Sequence, residues 1–301
     1  MIRTLAILVA LAGFVLPLNA QALVGVVRMK ISAGDLATGQ AAAEDHKRVK
    51  GADAEYLSAI AWIARGAEML GRLELADETL RELREAIPAE NTEHLSAYGA
   101  AIEVEGRLIH RREGRGAALR YFEQQLTTAQ APSLRSRIRK NINMLSLEGQ
   151  PAPALGGTTL TGGAAPTLAS LRGKPVVLFF FAEWCGDCKA QAPSLERVWQ
   201  KYRDRVPMLA VTRLYSTPTD EKPMTPAEET AKVQAVWKES YAALADVPVV
   251  IDSDTMVRYG ASATPSFALV DRRGVVRHYT ATRLSEAELS RRIEELLAEG
   301  E

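Results

Sequence analysis

Two cysteines, Cys185 and Cys188, are the only ones among 301 residues, and they lie three positions apart in the stretch FFFAEWCGDCKAQAP, residues 179–193. Three kinds of chemistry suit such a pair. A closed zinc site takes four ligands, usually two such pairs or one pair with histidines. Here there is one pair, and His46, His94, His110 and His278 are remote in sequence and lack H-x3-H spacing. A structural disulfide closing so short a loop removes little entropy from the unfolded chain. Thiol–disulfide exchange accounts for position as well as spacing. The apolar run PVVLFFFA leads into the pair and a helix starts at it, which places Cys185 at a helix N-terminus. Backbone N–H groups and the helix dipole there favour a thiolate. Lys189, one turn along, adds positive charge. Cys188 in the first turn is close enough to attack a mixed disulfide formed on Cys185. Trp184 reads as a lid over the sulfur, or else as a packing residue.

The elements that must hold this pair follow from the pattern. From Pro175 onward strand and helix alternate. PVVLFFFA has the continuous apolar character of a strand buried on both faces. The spacing predicts a helix over 186–202 and a second buried strand in PMLAVTR. TPAEE has the form of a capping box, with Thr225 at N-cap, Pro226 at N1 and Glu228 at N3. It opens a helix expected to run over 226–244. VPVVID is a third strand, SFALVD and VVRHYTA form a hairpin about DRRG, and SEAELSRRIEELLAE is a closing amphipathic helix. The expectation is an α/β fold, a mixed sheet with helices on both faces.

WCGDCK after an apolar strand resembles the active site of the thioredoxin superfamily. GKPVVLFFFAEWCGDCKAQAP with YGASATPSFALVDRRGVV is similar to the TlpA/ResA group of extracytoplasmic oxidoreductases, the AhpC/TSA–redoxin-like domain type, over residues 149–301. The resemblance implies Cys185 as nucleophile and Cys188 as resolving thiol. It implies Pro193 as the kink of the active-site helix, and a cis Thr264–Pro265 bond in a loop that faces the pair and binds the partner polypeptide. Trp184, Gly186, Asp187 and Lys189 shape the site. Typical partners are protein thiols and disulfides, with a membrane thiol reductase as electron donor. The departures are specific. Phe179 stands where thioredoxin has a buried proton-accepting Asp. Glu183 is a candidate replacement, with a side chain expected to be exposed. Asp187 should raise the Cys185 pKa and shift the pair toward a reducing poise. Gln191 replaces a Glu usual in the group. A peroxidase would need Thr or Ser where Ala182 stands, and a third cysteine for distant resolution.

Residues 23–148 read as helical hairpins. Asp53 is expected to cap one helix and Thr92 another. LGRLELADETLRELREAIP and EGRGAALRYFEQQLTTAQAP rhyme as a degenerate tetratricopeptide-type pair, spaced more widely than the ~34-residue period of that repeat; an irregular bundle fits as well. A domain boundary is expected at about Gly149. Such hairpins often serve as protein-binding platforms, so a partner-binding adaptor is the competing functional class.

The N-terminal stretch MIRTLAILVALAGFVLPLNAQAL has a positive Arg3, an apolar run from Leu5 to Leu16 and an A-x-A site at Ala20–Ala22. That is the grammar of a signal peptide over 1–22, with an uncleaved membrane anchor as the alternative. No cysteine follows the run to carry a lipid. The expected product is soluble and extracytoplasmic, where disulfides persist. Lys+Arg and Asp+Glu number 37 each, which argues against strong nucleic-acid binding. GGTTLTGG reads as a turn, not a phosphate loop. No metal, nucleotide, flavin or other cofactor is implied.

Overall fold

The computed structural model describes residues 22–217 and 222–299. The expected signal peptide lies almost wholly outside them. No described helix is long and apolar enough to cross a membrane. The chain divides into two compact units, the first ending at Ala86 and the second beginning at Ile87.

The first unit holds α1 (Leu23–Ser32), α2 (Leu36–Lys50), α3 (Ala54–Met69) and α4 (Leu73–Ala86). Asp53 caps α3 as expected, accepting from the Tyr56 amide at 2.8 Å. α3 turns Ala59, Ile60, Ile63, Ala64 and Ala67 inward at helical spacing. At Gly66 a Cβ would sit 2.7 Å from Ile31 Cγ2, so the missing side chain is what lets α1 and α3 approach.

The second unit opens with α5 (Leu95–Glu113), α6 (Arg115–Thr128) and α7 (Pro132–Ser146). Thr92 does not cap α5. Asn91 Oδ1 takes the His94 amide at 2.8 Å, and this local turn delays the helix to Leu95. The chain then builds β1 (Thr158–Thr159), β2 (Val176–Phe180), α8 (Gly186–Tyr202), β3 (Met208–Thr212), α9 (Pro226–Ser240), β4 (Val249–Ile251), α10 (Ser253–Arg258), β5 (Ser266–Val270), β6 (Val276–Thr280) and α11 (Glu286–Ala298). The sheet order is β1-β4-β3-β2-β5-β6. β2, β3 and β4 run parallel, while β1, β5 and β6 are antiparallel to their neighbours. The β2 run alternates as a central strand must. Val177, Phe179 and Phe181 face a core shared with α8, α9 and α11, and Val176, Leu178 and Phe180 face the other side with Met256 and Tyr259. α9 stops at Ser240, and a 3-10 turn over Ala242–Leu244 replaces the expected last helical turn.

α7 and the segment after it are bound to this sheet. The Gly149 amide donates to the Val276 carbonyl at 2.7 Å, Ala152 to Gly274 at 2.8 Å, and Asn143 Nδ2 to the Arg258 carbonyl at 3.2 Å. Gly260 has φ +62°, and a Cβ there would lie 2.2 Å from the Lys140 amide. Only glycine tolerates both the backbone twist and that approach. The shift in composition at Gly149 marks the passage from helices to sheet, whereas compactness divides the chain earlier.

Candidate functional site

β2 ends at the centre of the sheet and delivers Cys185 to the N-cap of α8. Its sulfur accepts the Cys188 amide at 3.2 Å, and the thiol can donate to the Thr264 carbonyl at 3.3 Å. The Thr264–Pro265 peptide is cis and sits against the pair. Both cysteines are thiols here, Cys185 6% exposed and Cys188 fully buried. The acidities of the two thiols are displaced in opposite directions. Hydrogen bonding from Cys188, above all, then from the Thr264 side chain and the Cys188 amide, outweighs burial and the Asp187 charge and brings Cys185 down to about 6. Cys188 is pushed well above the ordinary thiol range, because its proton is held toward Cys185 and burial disfavours its anion. One sulfur is therefore available as a thiolate near neutral pH while the other stays protonated.

The other expected residues fall into place unevenly. Trp184 is 59% exposed and meets the Tyr215 ring edge-on at 5.4 Å. Asp187 is exposed beside Arg283, 3.6 Å away, and weakly opposes the Cys185 thiolate as its charge demands. Gly186 and Lys189 are exposed, and a Cβ on Gly186 would meet nothing within 4 Å. Pro193 lies inside α8, where it has no amide to donate.

Three residues behave differently from their reading in sequence, or reveal a task that it hides. Glu183 is not exposed. It is 2% accessible, pairs through Oε1 with Lys232 Nζ at 3.2 Å, and leaves Oε2 without a hydrogen-bond partner. The cause is α9, which covers it. Gln191 is fully buried and ties α8 to the chain after β6. Its Nε2 donates to the Leu284 carbonyl at 2.8 Å, and its Oε1 accepts the Leu284 amide at 2.9 Å. A carboxylate there could not donate, which gives the amide a structural reason. Phe179, in the place of a buried acid, packs against Phe267 at 5.3 Å, Phe181 at 5.7 Å and Tyr241 at 6.0 Å. The position holds an aromatic plug, and the Tyr241 hydroxyl beside it is buried without a partner.

Glu229 was not legible as a site residue. Fully buried on α9, it accepts the amides of Tyr215 at 2.5 Å and Ser216 at 2.9 Å, and so holds the ring that supports Trp184. The available signal was the i,i+3 spacing of Glu229 and Lys232 on a well-capped helix, which puts both on one face.

Residues 147–293 match the Redoxin family model. Over 148 residues the chain is 26% identical to the thioredoxin-like protein YneN of Bacillus subtilis, covering 49% of this chain and 79% of that one. Over 157 residues it is 27% identical to the thiol-disulfide oxidoreductase YkuV of the same organism, covering 50% and 97%. A secreted Mycobacterium tuberculosis disulfide oxidoreductase is 26% identical, with 47% and 96% covered and a TM-score of 0.38. The redox half of the chain belongs to the thioredoxin superfamily of thiol–disulfide oxidoreductases.

Proposed function

We propose that this oxidoreductase works outside the cytoplasm and passes electrons from its Cys185–Cys188 dithiol to disulfides of client proteins. The observation that carries the reading is the opposite displacement of the two thiols, Cys185 down to about 6 and Cys188 up. The Cys185 thiolate attacks one sulfur of a client disulfide, and the other client sulfur leaves as a thiolate. Cys188 then loses its proton and attacks Cys185 Sγ. The second client thiolate departs, two electrons have moved to the client, and the pair is left as a disulfide. The Thr264–Pro265 loop lies against the nucleophile, and Trp184 immediately precedes it, exposed to an incoming client. A membrane thiol reductase is the class of donor that would restore the dithiol from across the membrane. The N-terminal signal-like stretch supports the location, and the name of YkuV supports the reaction class.

The reductant direction is favoured by a thiol nearer to thioredoxin's ~7 than to DsbA's ~3.5, with Asp187 opposing a further fall. Equilibration in thiol/disulfide buffers, followed by Trp184 fluorescence, tests it. A potential at or below about −250 mV is expected, and a value near about −120 mV would make the protein a disulfide donor instead.

A further inference from the structure

A cleft of about 400 Å³ lined mainly by serines, threonine and charged side chains lies next to the loop that faces the redox pair, and the redox chemistry does not use it. One wall is helical, with Ser96 on α5 and Ser133 and Arg137 on α7; the other is formed by Arg213 and Ser262. The helical wall is built firmly. Arg137 Nη1 donates to the Ser96 carbonyl at 2.7 Å, and at Gly99 a Cβ would lie 2.8 Å from that same nitrogen. Arg137 is therefore committed to joining α7 to α5. Arg213 is not committed in this way. Its guanidinium stacks on the Tyr215 ring at 4.5 Å, and no carboxylate among the described residues pairs with it. Glu93 on the rim is turned to His94, 3.8 Å away, with its side chain 75% exposed.

The cleft is linked to the nucleophile through one loop. Ser262 on its wall is two residues from Thr264, at most ~7 Å of backbone, and the Thr264 carbonyl is 3.3 Å from Cys185 Sγ. Arg213 also stacks on Tyr215, whose ring meets Trp184, the residue before the nucleophile. A polypeptide whose sulfur is joined to Cys185 spans ~10 Å in three residues, enough to enter the cleft. Hydroxyls and an unpaired guanidinium suit a carboxylate on that stretch, because arginine binds carboxylates through paired N–H donors.

We infer that this cleft is a client-recognition subsite, in which Arg213 selects polypeptides carrying Asp or Glu about three residues from the reacting cysteine and α5 and α7 supply the opposite wall. This rests on the thiol–disulfide reading above and assigns it a substrate preference. A contact of this kind at a solvent-accessible rim acts mainly on the association rate and is sensitive to salt.

The test uses the reduced full-length protein and two synthetic peptides, each with one cysteine as a mixed disulfide to thionitrobenzoate. They differ only in having Glu or Gln three residues to either side of the cysteine. Cys185 attacks the peptide sulfur, the old S–S bond breaks, a new one forms to Cys185, and coloured thionitrobenzoate leaves as a thiolate. The readout is the ratio of second-order rate constants, Glu over Gln, which cancels general losses of activity within each variant. A ratio of about five is expected at low salt, falling toward one in about 1 M salt, where the screening length shrinks to ~3 Å. Arg213→Gln should bring the low-salt ratio to about one. Ser133→Glu, which adds a like charge to the helical wall, should lower it too. A wild-type ratio of one with both peptides reacting, or a ratio that survives Arg213→Gln, overturns the subsite and leaves the redox reading standing. If neither peptide releases thionitrobenzoate, the redox reading fails and the subsite with it.

Discussion

The four helices before Ala86 and the sheet that carries the cysteines fill their interiors with different side chains. α3 buries Ala59, Ala61, Ala64, Gly66 and Ala67, so helices meet nearly backbone to backbone. The sheet core around the redox pair is aromatic, with Phe179, Phe181, Trp237, Tyr241 and Phe267 in a chain of ring contacts. The polar atoms differ as well. In the helices the hydroxyl of buried Tyr56 is answered by Glu82 Oε1 at 2.8 Å. In the sheet core Glu183 Oε2, Trp237 Nε1 and the Tyr241 hydroxyl are buried without hydrogen-bond partners. Such atoms usually cost ~1–3 kcal/mol each. The redox core retains buried unsatisfied groups close to the two sulfurs, Trp237 and Tyr241 belonging to the same apolar cluster as Cys185 and Cys188.

That contrast can be tested most directly at Cys185. Cys185→Ser should cut reduction of a peptide disulfide by about 10³-fold or more, since a hydroxyl near neutral pH supplies almost no nucleophile. Cys188→Ser should keep the first step and accumulate a client adduct on Cys185, visible by mass spectrometry. If Cys188→Ser turned over normally, the assignment of roles would be wrong. Gly260→Ala comes next. A Cβ beside the Lys140 backbone at positive φ should cost about 3 kcal/mol by urea unfolding and loosen α7 from the sheet. In the other unit, Gly66→Ala forces a methyl against Ile31 and should cost about 1–2 kcal/mol, with the reduction rate of a small disulfide retained. A loss of rate equal to that of the redox-site variants would join the two regions that the comparison separates.

Smaller effects are read from pH. Alkylation of Cys185 by iodoacetamide should rise with a midpoint near pH 6. The folded thiol pKa is depressed from an ordinary ~8.5, so the stabilisation it lends the reduced protein is fully present above ~8.5 and is lost as pH falls through about 6. Comparing urea midpoints at pH 5 and pH 8 with those of Cys185→Ser isolates this contribution, and an equal pH dependence in both proteins would remove it. Asp187→Asn should lower the alkylation midpoint by only a few tenths of a pH unit, because an exposed charge is screened by solvent and salt and Asp187 is 71% exposed beside Arg283.

Much of the redox fold was legible because it is local. Apolar runs marked the strands, and the Thr225–Glu228 capping box forms as read, the Thr225 amide donating to Glu228 Oε2 at 2.7 Å. The helix starting at the first cysteine runs Gly186–Tyr202 as expected. The errors come from long-range contact. Glu183 beside an exposed Trp184 looked exposed too, and α9, some fifty residues later in the chain, buries it. Gln191 looked like a lost carboxylate until Leu284 supplied both partners for its amide. The hold of α7 on the sheet was equally invisible, since it rests on Gly260 and on the backbone bonds of Gly149 and Ala152 to partners more than a hundred residues away.

By itself the sequence determined the reaction class. A Cys-x-x-Cys pair between a buried strand and a helix places one sulfur over the helix N-terminus and the other a turn inside, and those relations are set within a few residues of chain. Tertiary structure decided the environment. Thr264 is brought to Cys185 from 79 residues away, Lys232 to Glu183 from 49, and the cleft joins α5 and α7 to Arg213 and Ser262, far from them in sequence. The physical reason is range. Propensity and periodicity act over a turn or a strand, whereas the pKa of a thiol and the shape of a client site depend on whatever the closed core places within a few ångströms.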